Sequence, residues 1–379
     1  MKYSNLIVLA LFSLLSIHAL SVPHDEEKKI ENLYILGDSL SDVGSLIGIC
    51  NQILFDIKKN LNHLIWIEKF SFSPPCYKGR SFNNGPMAVE YAAKRLGLTV
   101  EPGWSFSIDS KLKRWILIWA KNKLHLFPKY LLDKDFDQIG TCYAIANARI
   151  LQYNSLSYRL FFNQFCLREQ YNVLCKHHPD LGEKDVVFIM IGANDIIEAI
   201  HKKNPHKILN KSIQEMKRII QMLSKKNPRI IVSTLPNLGL IPNFVNTSQG
   251  TLVSMMIQEF NRKIKEMVSL YKKHHTKSNI DVLDVSTDLN QLLFEYTKKG
   301  YLTDKPCISY LSDLMNFSIL SKFLFKGEVH VSYIYPCSEK EISHYLFFDG
   351  FHPSKIVHKL IGKELCNMIQ KNPIHPKQQ

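Results

Sequence analysis

Four short apolar runs, Leu33–Leu36, Val186–Ile191, Arg229–Thr234 and Ile280–Val285, are separated along this chain by longer amphipathic segments. That alternation constrains the fold more than any other feature, because it argues for a parallel sheet flanked by helices, an α/β architecture. The helix candidates include Pro86–Leu96, His206–Leu223, Leu252–Tyr271 and Ser354–Ile369. In Leu252–Tyr271 apolar residues recur at helical spacing with lysines between them, the pattern of a surface helix with one face on the core. In open α/β sheets the active residues collect at the carboxyl ends of the strands. The segments that follow these runs are therefore where chemistry is expected.

Lys2, an apolar core from Leu6 to Ile17 and small residues around Ala19 and Ser21 have the layout of a secretory signal peptide cut after Ser21. The apolar core is too short to span a bilayer. Residues 1–21 are expected to be this signal, and residues 22–379 a single secreted or periplasmic domain with insertions near 45–76, 104–135 and 303–340. Eight cysteines in an exported chain favour disulfides. Cys307–Cys337, both within one loop-like insertion, is the first pairing expected, and Cys50–Cys76, which bracket another insertion, the second. Neither set has metal-site spacing, and the pairs His177-His178 and His274-His275 read as solvated loop residues, so no metal or cofactor is expected. The formal charge of +14 reads either as steering toward an anionic surface, a peripheral contact, or as no more than lysine-rich surface helices. Lysines are scattered among helical segments and nothing resembles a nucleic-acid-binding module, so nucleic acid is not an expected partner. The stretch Lys111–Leu132, with Trp115, Ile116, Leu117, Ile118 and Trp119 among lysines, reads either as a membrane-interface element or as the packed core of an insertion.

Three blocks carry the candidate chemistry. The first apolar run leads into Leu36-Gly37-Asp38-Ser39-Leu40-Ser41-Asp42-Val43-Gly44, a tight turn in which Gly37 bends without a Cβ penalty and Ser41 or Asp42 caps a following helix. The others are Gly192-Ala193-Asn194-Asp195, just beyond the second run, and Asp349-Gly350-Phe351-His352-Pro353, before the last helix. Alone, each has a plain structural explanation: a helix cap, a strand-end Asx turn, a helix-entry turn. Together they supply what ester cleavage needs. A serine hydroxyl requires a base within hydrogen-bond reach, for which His352 is the candidate. Asp349 accepts from the other ring nitrogen and fixes the tautomer. The Ser39 backbone N–H and the Asn194 amide are candidate donors to the oxyanion, each such donor contributing roughly 3 kcal/mol to transition-state stabilisation.

These blocks resemble the GDSL lipase/esterase family of the SGNH hydrolase superfamily over most of the chain. Gly37-Asp38-Ser39-Leu40-Ser41-Asp42 matches the nucleophile block, Gly192-Ala193-Asn194-Asp195 the oxyanion-hole block, and Asp349-Gly350-Phe351-His352-Pro353 the acid–base block. Tyr77-Lys78-Gly79-Arg80, Asn84-Gly85-Pro86 and Glu90-Tyr91 look like the segment after the nucleophile helix in bacterial lipases of the family. The resemblance implies a three-layer α/β/α sandwich around a mainly parallel five-stranded sheet. It implies catalytic Ser39, Asp349 and His352, with Ser39, Asn147 and Asn194 forming the oxyanion hole. One block departs: Cys142-Tyr143-Ala144-Ile145-Ala146-Asn147-Ala148 places Asn147 where the family has a glycine. A backbone donor survives that change, and asparagine tolerates positive φ better than most residues.

Within the family, the chain resembles secreted bacterial phospholipase A, lysophospholipase and glycerophospholipid–cholesterol acyltransferase enzymes. The expected function is therefore an exported acyl hydrolase of phospholipids or lysophospholipids, able to pass its acyl group to a sterol. The alternatives are a carbohydrate O-acetyl esterase and a catalytically silent lipid- or glycan-binding protein on the same scaffold.

Overall fold

The computed structural model describes residues 29–60, 69–108, 114, 134–155, 159, 161–276, 279–309 and 328–371. The expected signal segment lies outside them, as does the Lys111–Leu132 stretch except for Arg114. The four apolar runs form strands β1 (Asn32–Gly37), β2 (Asp185–Met190), β3 (Arg229–Ser233) and β4 (Ile280–Leu283), all parallel and adjacent in that order. One row across the sheet reads Ile35, Phe188, Ile231, Asp281. Every residue of β2 and β3 is buried, as a parallel sheet covered on both faces requires. The fifth position, beyond β1, is held by a single bridge between Cys142 and Ile35. Ile35 N–H donates to Thr141 O and Tyr143 N–H to Ile35 O, each at 2.8 Å. The ladder stops because the Gly37 N–H, next in line for Tyr143 O, goes to Gln170 Oε1; Ile145 N–H still reaches Gly37 O at 3.3 Å, and Ala146 N–H turns away to the Asp42 carboxylate.

Among the described residues the α-helices are α1 (Ser45–Asn60), α2 (Ala88–Leu96), α3 (Leu167–His177), α4 (Ala193–Ala199), α5 (Pro205–Ser224), α6 (Ser248–His274), α7 (Val285–Lys298) and α8 (Lys355–Lys371). Helices α3, α5 and α6 pack in one layer; α2, α7 and α8 pack in another. The expected α6 is present and longer at both ends. Its buried Val253, Met256, Ile257, Phe260, Ile264 and Val268 follow the predicted spacing, and Thr247 Oγ1 accepts the Gly250 N–H to start it. The close approach of α8 to α2 depends on Gly362, where a Cβ would stand 2.4 Å from Ala88 O. Arg229, fully buried at the start of β3, donates to the Met368 and Ile369 carbonyls at the end of α8 and pairs with Asp281 at 3.0 Å. A cation there satisfies the terminal carbonyls and the helix dipole together.

Of the two expected disulfides, Cys307–Cys337 is formed. Cys50–Cys76 is not: both are free thiols buried in one apolar cluster, where they pack as small hydrophobes. His177 and His178 are also not solvated loop residues. His177 closes α3 and bonds Tyr143 Oη at 3.0 Å, and His178 bonds Tyr34 Oη at 3.1 Å. His274 and His275 are exposed, as expected, but His274 ends α6 rather than lying in a loop.

His358 of α8 is buried, and its Nδ1 accepts the Ala88 N–H at 3.2 Å, tying α8 to the start of α2. Burial, reinforced by the nearby His352, pushes its pKa down to about 3. An unfolded histidine takes up its proton below about pH 6.5. The folded state resists that proton, so the stability tied to this group is complete above about 6.5 and is lost as pH falls towards 3. Between pH 7.5 and 5 the loss should be about 2 kcal/mol. Urea titrations at the two pH values check it: His358→Gln should show a fall smaller by that amount.

Candidate active site

The site begins where β1 ends. Gln170 of α3 clamps Gly37 from both sides, its Oε1 accepting the Gly37 N–H and its Nε2 donating to Gly37 O, each at 2.8 Å. A Cβ on Gly37 would lie 2.8 Å from Met190 O, so glycine permits the close approach of β1 to β2 here. The chain then turns tightly, with Ser41 N–H donating to Asp38 O at 3.0 Å and Leu40 N–H to Asp38 Oδ1 at 3.1 Å, and Ser39 sits in that turn. Of the two capping candidates, Asp42 is the one used. Its buried carboxylate accepts N–H groups from Gly44 (2.8 Å), Ser45 (2.6 Å), Leu46 (3.2 Å) and Ala146 (2.8 Å). It thereby fastens the start of α1 and the Cys142–Ala148 segment to the same turn. Burial raises the Asp38 carboxyl to about 7, against the pull of the Leu40 N–H and the nearby His352.

His352 Nε2 lies 2.9 Å from Ser39 Oγ, across 313 residues of sequence. Its Nδ1 is 2.9 Å from Asp349 Oδ2 and 3.0 Å from Oδ1. A carboxylate only accepts, so Nδ1 carries the proton and Nε2 is left to accept from the Ser39 hydroxyl. Asp349 also receives the backbone N–H groups of Phe351 (2.8 Å) and His352 (2.7 Å), the helix-entry turn foreseen as the plain reading of this block. Both readings hold at once. Burial alone would raise the Asp349 carboxyl, but the His352 ring and these donors outweigh it, and its pKa is lowered overall. The Phe82 ring packs against the imidazole, 5.2 Å between centroids.

Asn194 is the second residue of α4, and its Nδ2 donates to Ala148 O at 2.9 Å, leaving the second amide hydrogen free. Gly192 before it has φ 129°, a conformation reserved for glycine. Asn147 takes φ 67°, as its position in the sequence suggested it could. Among the described residues no acceptor is found for the backbone N–H of Ser39 or of Asn147. Ser39, Asn147, Asn194 and His352 all line one cleft of about 220 Å³, and Asp349 stands behind His352. The remaining walls are Leu40, Ala193, Ile197, Leu238, Ile241 and Phe351. The arrangement can deprotonate a serine and offers N–H groups to an oxyanion beside it.

Sequence reasoning missed part of the support. Gln170 has no motif around it to mark it. Asp195 does belong to a recognised block, yet its work is structural: it accepts the Ile150 and Leu151 N–H groups at 2.8 and 3.1 Å and pairs with buried Arg149 at 3.6 Å. That anchors the loop carrying Asn147.

Serine, imidazole and carboxylate hydrogen-bonded in series at the carboxyl end of a parallel sheet define a class, the serine hydrolases of open α/β design. The chain belongs to the GDSL-like Lipase/Acylhydrolase family, whose model matches residues 33–365. It is 22% identical over 378 residues to a GDSL esterase/lipase of Arabidopsis thaliana, spanning 92% of this chain and 93% of that protein. A second Arabidopsis GDSL esterase/lipase is 23% identical over 358 residues, 88% of this chain and 87% of that protein. The anther-specific proline-rich protein APG of Brassica napus is 23% identical over 370 residues, 90% and 73%. Among solved structures the chain aligns with the acetyl xylan esterase AlAXEase at 12% identity and TM-score 0.38, covering 89% of this chain and 100% of that one. It also aligns with an extracellular lipase from Streptomyces rimosus at 11% identity and TM-score 0.35, covering 90% and 98%. At the level of the family, the chemistry is carboxylic ester hydrolysis.

The disulfide loop meets this site from behind. Cys307 and Ile308 N–H groups both donate to Phe348 O, at 3.2 and 2.9 Å, one residue before Asp349. Ile334 N–H closes back on Cys307 O at 2.8 Å. These bonds brace the residue just before Asp349, as a strut would. The double variant Cys307→Ser/Cys337→Ser should lose about 3–4 kcal/mol of stability, from a bridge across 30 residues. Its turnover should fall rather than rise. Denaturant titration and steady-state kinetics check both, and a faster variant would identify a lid.

Proposed function

We propose that the protein is an exported acyl hydrolase of lipids, of the phospholipase A or lysophospholipase type, working through an acyl-Ser39 intermediate. Ser39 Oγ attacks the ester carbonyl carbon as His352 Nε2 takes its proton, and Asp349 stabilises the imidazolium. The Ser39 and Asn147 backbone N–H groups and the Asn194 amide receive the negative charge on the carbonyl oxygen. Collapse expels the alcohol, which leaves with the proton from His352. Water, activated in turn by His352, releases the fatty acid; a sterol hydroxyl in its place would give acyl transfer.

The observation that carries this reading is the wall of the cleft. Opposite the polar groups it is aliphatic and aromatic throughout, a surface for an acyl chain and not for the hydroxyls of a sugar. At about 220 Å³ it falls below the roughly 300–1,000 Å³ of sites that enclose a drug-sized ligand, so it suits an acyl segment and leaves the headgroup outside. The Cys307–Cys337 bridge supports residence in an oxidising compartment, and the net positive charge supports approach to anionic lipid.

Ser39→Ala should lower ester turnover at least about 10³-fold with an unchanged melting temperature. Asp349→Asn should cost about 10²–10⁴-fold by stabilising the wrong tautomer. Product identification from mixed phospholipid vesicles, with and without cholesterol, tests the substrate class. Fatty acid and lysolipid release is expected, with sterol ester when cholesterol is present. Preference for acetyl esters with intact vesicles would instead mark a carbohydrate O-acetyl esterase, and lipid binding without turnover a silent scaffold.

A further inference from the structure

The chain carries its charges unevenly. No Asp, Glu, Lys, Arg or His occurs anywhere between Arg229 and Glu259, in a protein of which 22% is charged. The buried strand β3 accounts for the first few positions, but most of the run lies outside the sheet. Helix α6 is divided by it: Ser248 to Gln258 holds no charge, while Glu259 to His274 is dense in lysine, arginine and glutamate. The exposed polar residues of the run, among them Asn246, Thr247, Gln249 and Thr251, are amides and hydroxyls. Two large apolar side chains stand in solvent with them, Leu240 at 38% exposure and Met255 at 61%.

This uncharged stretch borders the cleft. Leu238 and Ile241, on either side of Leu240 in sequence, are walls of it. Asn243 N–H donates to Gly350 O at 3.0 Å, and the Phe244 ring meets that of Phe351 at 5.9 Å between centroids. The segment is thereby fastened to the turn that carries Asp349 and His352. Ser254 Oγ donates to Asn237 Oδ1 at 2.9 Å, which holds the start of α6, and Met255 with it, against the same segment. Helix α6 joins the carboxyl end of β3 to the amino end of the parallel β4. Its uncharged half therefore lies at the rim, and its charged half runs away from it.

We infer that the uncharged margin from Leu240 to Met255 is the face that rests on a lipid surface while the adjoining cleft takes an acyl chain from it. This rests on the lipid-hydrolase reading and adds to it the place where the lipid sits. A cleft that encloses only part of a lipid opens against the aggregate that supplies it, so the surface beside its mouth is the one in contact. Ionised side chains are expensive to strip of water at such a contact, whereas Leu and Met can insert, and amides and hydroxyls keep hydrogen bonds among headgroups. A face that meets only water has no reason to shed the charges that the rest of the same helix carries. A polyanion or an acidic protein would be met by cations, which this margin lacks. The basic remainder of the chain steers approach over a longer range, and the contact itself is apolar.

Sedimentation with phosphatidylcholine vesicles reads the contact, in full-length protein carrying Ser39→Ala so that the lipid survives. Met255→Asp should weaken vesicle binding about 10-fold, and Leu240→Asp should do the same. Leu270→Asp is the control, because Leu270 is 57% exposed on the charged half of the same helix; it should bind as before. Binding should persist in about 0.5 M NaCl, where charge–charge attraction is screened. With Ser39 restored, the two margin variants should lose vesicle hydrolysis about 10-fold and keep turnover of dissolved p-nitrophenyl butyrate within about twofold, which also shows them folded. If Leu240→Asp loses the dissolved ester too, its turn is disturbed and Met255→Asp decides. No vesicle binding, undiminished binding by Met255→Asp, an equal loss in Leu270→Asp or release by salt overturns the docking face. So does a dimer in solution that Met255→Asp dissolves, since the face would then belong to a second copy of the chain. If the wild-type protein cleaves p-nitrophenyl butyrate but frees no fatty acid from vesicles that it binds, the lipid-hydrolase reading fails instead.

Discussion

One buried carboxylate organises the site. Asp42 gathers four backbone N–H groups, three at the start of α1 and one from Ala146 on a segment a hundred residues further on. Without it, the nucleophile turn and the loop bearing Asn147 would lose the carboxylate they share, and four buried donors would lack an acceptor. The groups aimed into the cleft are only as well placed as this attachment. Asp195 repeats the device on the far side of the same loop, accepting the Ile150 and Leu151 N–H groups. The loop is thus pinned at both ends by acids that do no chemistry themselves, which is the kind of support a preorganised site requires.

The sheet was legible in the sequence because its central strands are buried on both faces and so read as unbroken apolar runs. The helices were legible in their periods and less so in their ends. The start of α6 is set by Thr247, a polar cap that leaves no trace in hydrophobic spacing. The fifth strand could not be foreseen as a single bridge, because what shortens it is Gln170 taking the Gly37 N–H and the Asp42 carboxylate taking that of Ala146. Competition of that kind is tertiary.

The site was legible where a residue type is tied to a local motif, as Asp349 is to a turn that also faces a ring; Gly37, read as the glycine that bends the turn, serves instead the close approach of β1 to β2. It was illegible where a lone polar side chain serves a distant backbone. Gln170 lies 133 residues from the glycine it clamps, inside an ordinary amphipathic helix. The cysteines divide in the same way. Cys307 and Cys337 share one excursion and meet, whereas Cys50 and Cys76 bracket a segment and enter the same core without bonding. Bracketing an insertion places two thiols near one another in sequence without orienting them.

The span between Ser39 and His352 bears on how such a protein is made. The nucleophile turn emerges early in synthesis, but its base follows 313 residues later, and β1 must meanwhile wait for β2 to pair with it across 153 positions. No shorter stretch of this chain holds the serine and its base together. A ribosome-bound, incomplete polypeptide therefore lacks the base its serine needs, and hydrolytic power waits until the last segments close over the sheet. The topology acts as a timer, keeping the cell that makes the enzyme apart from its reaction until the molecule is whole.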